Sequence, residues 1–310
     1  MTQNPMSLAA AEARKYLGAT SPNPPVGAAA IDDQGNILAV AAHKKAGGDH
    51  AEATLIKMCR DQNLLQRVHT LYVTLEPCNH HGRTPPCSDA IIEADIKRVV
   101  IGTVDPNPKV TGGGADRLIK AGVEVSFTDD DESRQLIHAF AYNVTTGRPW
   151  VTVKRAFNSK GSMIPPAGQK TFTSPSALTL AHQLRKKSDA ILTGSGTVLE
   201  DNPLFTVRHV QDYPGKRRWL GILDRRKRVP QSYIDAARDR GLDAIIYGDI
   251  REALEDLKHK GAQDILVEGG PKTSEAVLDY PFWTMSVTIQ TAGTESVDVQ
   301  FNPNETLPFD

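Results

Sequence analysis

Apolar and polar positions recur along this chain in two rhythms, one helical and one of short extended runs, and the switches between them lay out its elements. Ser7–Leu17 carries helically spaced apolar residues and predicts an amphipathic helix, followed by the turn-rich string SPNPPVG over Ser21–Gly27. Short apolar runs at Val26–Ile31 and Ile37–Ala42 flank Asp32-Asp33-Gln34-Gly35-Asn36 and predict a hairpin. A helix over Ala51–Arg60, a strand over Thr70–Leu75 and a helix over Ser88–Ala94 come next. Strand Arg98–Val104, a helix near Ala115–Ala121 and strand Val123–Phe127 complete the first half. Helix, hairpin and two helix-to-strand crossovers predict a three-layer α/β/α sandwich.

The acidic run Asp129-Asp130-Asp131-Glu132 opens a further helix that ends near Gly147-Arg148-Pro149. That turn signal places a domain boundary between 1–147 and 148–310. The second half alternates again, with strands at Trp150–Phe157, Asp189–Thr193, Arg218–Asp224, Asp243–Tyr247 and Asp264–Val267. Helices at Ser176–Lys187, Ile250–Lys260 and Thr273–Leu278 separate several of them, so a mostly parallel α/β domain is expected. Met285–Gln290 reads as a last strand, and the polar, proline-containing tail after about Gly293 as a weakly ordered edge or terminus.

Composition narrows the class. With 39% hydrophobic and 24% charged residues, the 310-residue chain suits a soluble protein of two ordinary domains. No apolar run approaches the roughly 20 residues a membrane span needs. The start, MTQNPMSLAAAEARKY, lacks a basic stretch leading into an apolar one, so no secretory signal is expected. Net charge is −1, from 36 basic and 37 acidic residues, which argues against a nucleic-acid partner but leaves room for local phosphate sites. Three cysteines without a signal peptide fit a reducing cytoplasm, and Cys59 reads as a small buried apolar residue. A second domain of this kind also makes a homodimer the expected assembly.

The chemistry sits in two short strings, His50-Ala51-Glu52 and Pro77-Cys78 with Cys87 nine residues later. Taken singly, each histidine or cysteine reads as structural. Together, one imidazole and two thiols can hold Zn2+ and leave its fourth position open, whereas a structural zinc normally takes four protein ligands. Glu52 is then placed as a proton shuttle beside the reacting water, which is the arrangement of a hydrolytic deaminase. Cys87 at a helix N-terminus is favoured as thiolate by the helix dipole. Eight residues, Asn79 to Pro86, separate the cysteines and bring His80, His81, Arg83 and Thr84 to the mouth of the site. Those groups suit a phosphate-bearing substrate. His43 and the Asp105-Pro106-Asn107-Pro108 turn lie at strand ends that can face the same cleft. Thr111-Gly112-Gly113-Gly114 lacks a following Gly-Lys-Ser/Thr and reads as a turn before a helix.

The strings SPNPPVG, HKKAGGDHAE, TLEPCNHHGRTPPC and VDPNPKVTGGG resemble the bifunctional riboflavin-biosynthesis deaminase/reductase family over most of residues 1–147. The resemblance implies a cytidine-deaminase-like three-layer α/β/α domain that deaminates 2,5-diamino-6-ribosylamino-4(3H)-pyrimidinone 5′-phosphate. By position, His50, Cys78 and Cys87 would bind zinc, Glu52 would shuttle protons, and Asn23, His43, His80, Arg83, Thr84, Asp105 and Asn107 would hold the substrate. Thr173–Arg208 and ILVEGGP (Ile265–Pro271) resemble the same family's dihydrofolate-reductase-like α/β domain, which uses NADPH to convert the ribosyl to a ribityl chain. That carries Arg185, Asp201, Leu204, Arg208 and Glu268 over as substrate contacts, and Lys154, Thr197, Asp201, Gly269 and Gly270 as cofactor contacts. A glycine pair ahead of a helix lets backbone approach a pyrophosphate closely. Arg225-Arg226-Lys227-Arg228 can meet a 2′-phosphate, although such a run is as readily a solvated face.

Three departures from the family pattern open an alternative. Lys160 replaces an acid in the turn Asn158-Ser159-Lys160-Gly161, Gln169-Lys170-Thr171 stands where a Ser-x-Trp is usual, and the chain stops soon after Met285–Gln290. The alternative is a deaminase whose C-terminal domain is a non-catalytic dimerisation or stabilising module. A base deaminase acting on RNA is a third reading, and near-neutral charge and the long inter-cysteine loop speak against it.

Overall fold

Asn4 accepts the Met6 N–H at 3.0 Å and Pro5 fills the first turn, so helix α1 (Pro5–Arg14) begins and ends earlier than apolar spacing suggests. The computed structural model describes residues 4–80, 85–108, 110, 113–166, 168, 171–281, 283–291 and 294–309. They divide between two units, Met1–Gly147 with Pro308–Asp310, and Arg148–Leu307.

In the first unit, β1 (Gly27–Ile31) and β2 (Ile37–Ala42) form the antiparallel hairpin. Asp32 pins its turn by accepting the N–H groups of Gln34 and Asn36 at 3.1 and 2.8 Å. There follow α2 (Ala51–Asp61), β3 (Thr70–Val73), α3 (Cys87–Glu93), β4 (Arg98–Ile101), α4 (Gly113–Lys120) and β5 (Glu124–Phe127). The sheet order is β2-β1-β3-β4-β5, with β1 antiparallel to both neighbours and β3, β4 and β5 parallel. Leu55, Leu71, Val73, Ile91, Ile101 and Leu118 form the core shared by α2, α3, α4 and the sheet. A second cluster joins Ala10 and Ala13 of α1 to Leu75, Leu136 and Ile137. The single helix expected before Gly147 is two, α5 (Asp131–Leu136) and α6 (His138–Thr146), divided at Ile137, whose φ of −106° and ψ of 10° leave the helical region.

The second unit contains β6 (Trp150–Phe157), α7 (Pro175–Lys187), β7 (Ala190–Gly194), α8 (Ser195–Asp201), β8 (Arg218–Leu223) and α9 (Gln231–Asp239). β9 (Leu242–Tyr247), α10 (Ile250–His259), β10 (Asp264–Glu268), α11 (Pro271–Leu278), β11 (Met285–Gln290) and β12 (Ser296–Phe301) complete it. The order is β12-β11-β6-β10-β7-β8-β9, all parallel except β12. Helices α8 and α9 have no counterpart in the sequence reading. Of the two readings of the tail after Gly293, the edge holds, and as a regular strand: β12 pairs antiparallel with β11 at the end of the sheet. β7 is buried at every position, and in parallel sheets of this kind ligand sites form at the C-terminal ends of the strands, here those of β10, β7 and β8. No helix among the described residues is long and apolar enough to cross a membrane.

Candidate functional site

Three elements of the first unit bring one donor each to a single point. His50 immediately precedes α2, Cys87 is the first residue of α3, and Cys78 follows β3 by way of Thr74-Leu75-Glu76-Pro77. Their donor atoms all lie within 4.8 Å of one another. His50 Nδ1 is 3.2 Å from Cys87 Sγ and 3.6 Å from Cys78 Sγ. A zinc tetrahedron with ordinary Zn–S and Zn–N bonds has an S···N edge of about 3.6 Å, so these residues fit that ion. The contact with Cys87 pulls the Cys78 thiol below its ordinary range, while the same contact and burial push that of Cys87 up. A bound dication would take the place of the thiol protons.

The loop that presents Cys78 is tied on both sides. Cys87 N–H donates to Cys78 Sγ at 3.3 Å, and Ser88 N–H donates to the Cys78 carbonyl at 3.2 Å. Glu76, 4% exposed, accepts the N–H groups of Gly114 and Ala115 at 3.2 and 3.1 Å and that of Asp105 at 3.3 Å. Its carboxylate therefore caps α4 and binds the Asp105 turn to the cysteine loop. At Gly114 a Cβ would lie 1.7 Å from the Pro77 carbonyl oxygen, so only glycine admits this approach. Glu76 is the residue the sequence reading missed. Its signal was an acid standing directly before Pro77-Cys78.

Glu52 lies in the first turn of α2 and is 3% exposed. Burial, opposed by the charge of His50, pushes its carboxyl above the usual range, as a proton carrier requires. The His43 ring stands edge-on to that of His50, with centroids 5.3 Å apart. Its Nδ1 donates to the Asp49 carbonyl at 2.9 Å, which leaves Nε2 a bare, buried acceptor without a partner among the described residues. Asp105 is raised by burial, with Glu76 adding to the effect and His80 and the Asn107 N–H opposing it. Asn23 occupies the exposed turn ahead of β1, its N–H on the Thr20 carbonyl. Arg83 and Thr84 lie outside the described residues.

In the second unit, Glu268 ends β10 and meets two cations. Arg185 Nε and Nη2 donate to its two oxygens at 2.6 and 2.8 Å, and Lys154 Nζ of β6 is 3.6 Å away. Burial works against the charge of Glu268, but Arg185 and Lys154 outweigh it and hold the carboxyl at about 2. The third Arg185 nitrogen, Nη1, donates to the Thr206 carbonyl at 3.1 Å. Arg208 is exposed, so this end of the sheet offers three cations against one carboxylate.

Two helices start beside that cluster, α8 after Gly194 and α11 after Gly269-Gly270. Thr197 Oγ1 joins them by accepting the Gly270 N–H at 3.0 Å. A Cβ on Gly194 would lie 2.2 Å from Thr273 Oγ1 of α11. Arg225 to Arg228 are exposed at the end of β8, and Arg228 Nη2 reaches Ser195 Oγ at the start of α8, at 2.8 Å. Leu204 is exposed, as is Asp201 at the end of α8.

Residues 1–103 match the family described as the cytidine and deoxycytidylate deaminase zinc-binding region, and residues 149–280 match the RibD C-terminal domain. The riboflavin biosynthesis protein RibD of Aquifex aeolicus is 39% identical over 270 residues, covering 86% of this chain and 74% of its own length. A crystal structure of a diaminohydroxyphosphoribosylaminopyrimidine deaminase/5-amino-6-(5-phosphoribosylamino)uracil reductase from Thermotoga maritima superposes with a TM-score of 0.81 at 34% identity. It covers 93% of this chain and 86% of that one. Form 1 of Acinetobacter baumannii RibD gives a TM-score of 0.77 at 30% identity, over 92% of this chain and 85% of that one.

Proposed function

As the chain belongs to the RibD family of riboflavin biosynthesis proteins, we propose that its first unit deaminates 2,5-diamino-6-ribosylamino-4(3H)-pyrimidinone 5′-phosphate and that its second reduces the product's ribosyl chain to ribityl. The observation that carries the first half is the convergence of His50, Cys78 and Cys87 with Glu52 buried beside them. Those three donors would hold zinc, which would acidify a water toward neutral pH. Glu52 takes one proton of the attacking water and passes it to the ring nitrogen beside the carbon under attack, then takes the second from the newly added hydroxyl and gives it to the amine, which leaves as ammonia. His43 offers its bare Nε2 to a substrate donor. Asn23, His80, Arg83, Thr84, Asp105 and Asn107 complete the binding face, with Glu76 holding the Asp105 turn in place.

In the second unit NADPH supplies the hydride. Gly269, Gly270 and Thr197, at the starts of two helices, would hold its pyrophosphate, with Asp201 a further contact from α8 and Arg225 the partner of the 2′-phosphate. Lys154, shared with the cofactor, joins Arg185 and Arg208 in drawing in the anionic substrate, while Glu268 keeps Arg185 in orientation and Leu204 supplies an apolar contact. A non-catalytic second unit is not favoured, since residues 149–280 match the RibD C-terminal domain.

The test supplies the diaminopyrimidine phosphate with and without NADPH and identifies products by mass. Without NADPH, oxygen should replace one amine with release of ammonia. With it, that product should gain two hydrogens. Unchanged substrate in both arms refutes the reading, and deamination without the reduced product restores the one-activity alternative.

The enzyme is further proposed to act as a cytoplasmic homodimer. Val297, Val299 and Phe301 of edge strand β12 are 48, 49 and 43% exposed, a row of apolar side chains suited to a second copy. Cys59, Cys78 and Cys87 are all unpaired, as a reducing compartment allows. Sedimentation at micromolar concentration checks the assembly: a monomer there removes it.

A further inference from the structure

Phe205 is 2% exposed and has a φ of 52°, and Asn202, three residues earlier, has a φ of 43°. A bulky residue in the left-handed region persists where its surroundings over-determine it. Here three side chains from two helices do so. Tyr233 Oη of α9 donates to the Pro203 carbonyl at 2.6 Å, and Arg185 Nη1 of α7 donates to the Thr206 carbonyl at 3.1 Å. The Arg185 guanidinium also stands 5.7 Å from the centre of the Phe205 ring. The last tie is His182 of α7, whose Nδ1 accepts the Arg208 N–H at 2.8 Å. Arg208 in turn sets Nη1 on the Thr206 hydroxyl at 2.7 Å.

We infer that His182 is a positioning residue for the reduction: by accepting the Arg208 N–H it fixes the backbone from which Arg208 reaches the anionic pyrimidine substrate. The inference rests on the reading of Arg208 as a substrate contact. A backbone N–H can only donate, so Nδ1 is bare and the ring proton sits on Nε2. His182 is 2% exposed, on the inward face of α7 three residues before Arg185. Burial, then repulsion from Arg185, Arg208 and the adjacent His209, holds the imidazole down to about 4, with Glu268 opposing. It is therefore an uncharged acceptor at neutral pH. Any apolar side chain of similar volume would fill the space. Packing does not require an acceptor aimed at Arg208.

The experiment uses the full zinc-loaded chain and measures kcat, KM for the deaminated pyrimidine phosphate and KM for NADPH. His182→Leu should raise the pyrimidine KM by about tenfold, the loss expected for one buried hydrogen bond, while the NADPH KM and the deamination rate hold. His182→Asn places Oδ1 near the position of Nδ1 and should recover most of the loss. Equal defects in the two variants, or parallel rises in both KM values, overturn the inference. If His182→Leu does not fold, His182→Gln replaces it, with similar volume but its polar atoms one bond further out. Arg208→Ala separates the two levels of the argument. A raised pyrimidine KM there with none in His182→Leu overturns the positioning role alone. An unchanged KM in Arg208→Ala overturns the substrate reading and the inference with it.

Discussion

Glu52 and Glu76 are both buried carboxylates in the first unit, and they do opposite things. Glu76 spends its oxygens on three backbone N–H groups and is fixed, whereas Glu52 sits beside the metal donors with burial lifting its carboxyl toward the range where protons move. Glu52→Gln should keep one zinc per chain by elemental analysis yet release ammonia at least about a hundredfold more slowly. Retained activity would take the proton-carrier role away. Gly114→Ala should destabilise the first unit by at least about 2 kcal/mol in chemical denaturation, because the new methyl would occupy the Pro77 carbonyl. It should also weaken zinc in chelator competition. At this scale the donor set and Glu52 were legible because identity alone announces thiol, imidazole and carboxylate. The work of Glu76 was not, because its partner Gly114 lies 38 residues away and no local pattern links a strand end to a distant helix start.

Elements were legible where an apolar run is bounded by turn residues, as in β2 (Ile37–Ala42) and β6 (Trp150–Phe157), whose bounds match the reading. α8 was not, since it opens Ser195-Gly196-Thr197, poor helix formers, and is held by buried Val198 and the Thr197–Gly270 bond. α9 buries Tyr233, Ile234 and Ala237, too few positions to stand out from a loop of similar composition. All six residues of β12 are exposed, so its pairing with β11 rests on backbone bonds rather than on a buried face. Between elements, the Arg185–Glu268 pair ties α7 to β10 with both side chains 12% exposed. Arg185→Ala leaves that carboxylate with Lys154 alone and should cost about 3 kcal/mol in urea denaturation. Arg185→Lys should recover only part, having no fork to match two oxygens.

Across the whole molecule, both centres form where strands end and helices begin, but the forces that hold them respond differently to acid. All three tryptophans, Trp150, Trp219 and Trp283, belong to the second unit, so their fluorescence reports its unfolding. His182 has a folded pKa of about 4 against 6.5 unfolded, so the unfolded chain takes up the proton first as pH falls. Stability from this group is complete above about pH 6.5 and declines toward pH 4. The charged groups facing it, Arg185, Arg208, His209 and Glu268, shape that window, and Glu268 begins its own loss only below about pH 4.5. Denaturation midpoints followed by tryptophan emission should fall between pH 7 and 4.5. His182→Asn should flatten that slope, and an equal slope would assign it to other groups.

The two close glycine approaches differ in heredity as well as in geometry. Gly194 is constrained by a side chain, Thr273 Oγ1, so damage from Gly194→Ala can be repaired by a second change, Thr273→Ala. Gly114 is constrained by the main-chain oxygen of residue 77, which every amino acid carries. A search for compensating mutations should therefore return suppressors at 273 for the former and none at 77 for the latter. Over evolutionary drift the metal loop is bound to its glycine, while the second unit can exchange one residue for a change in its neighbour.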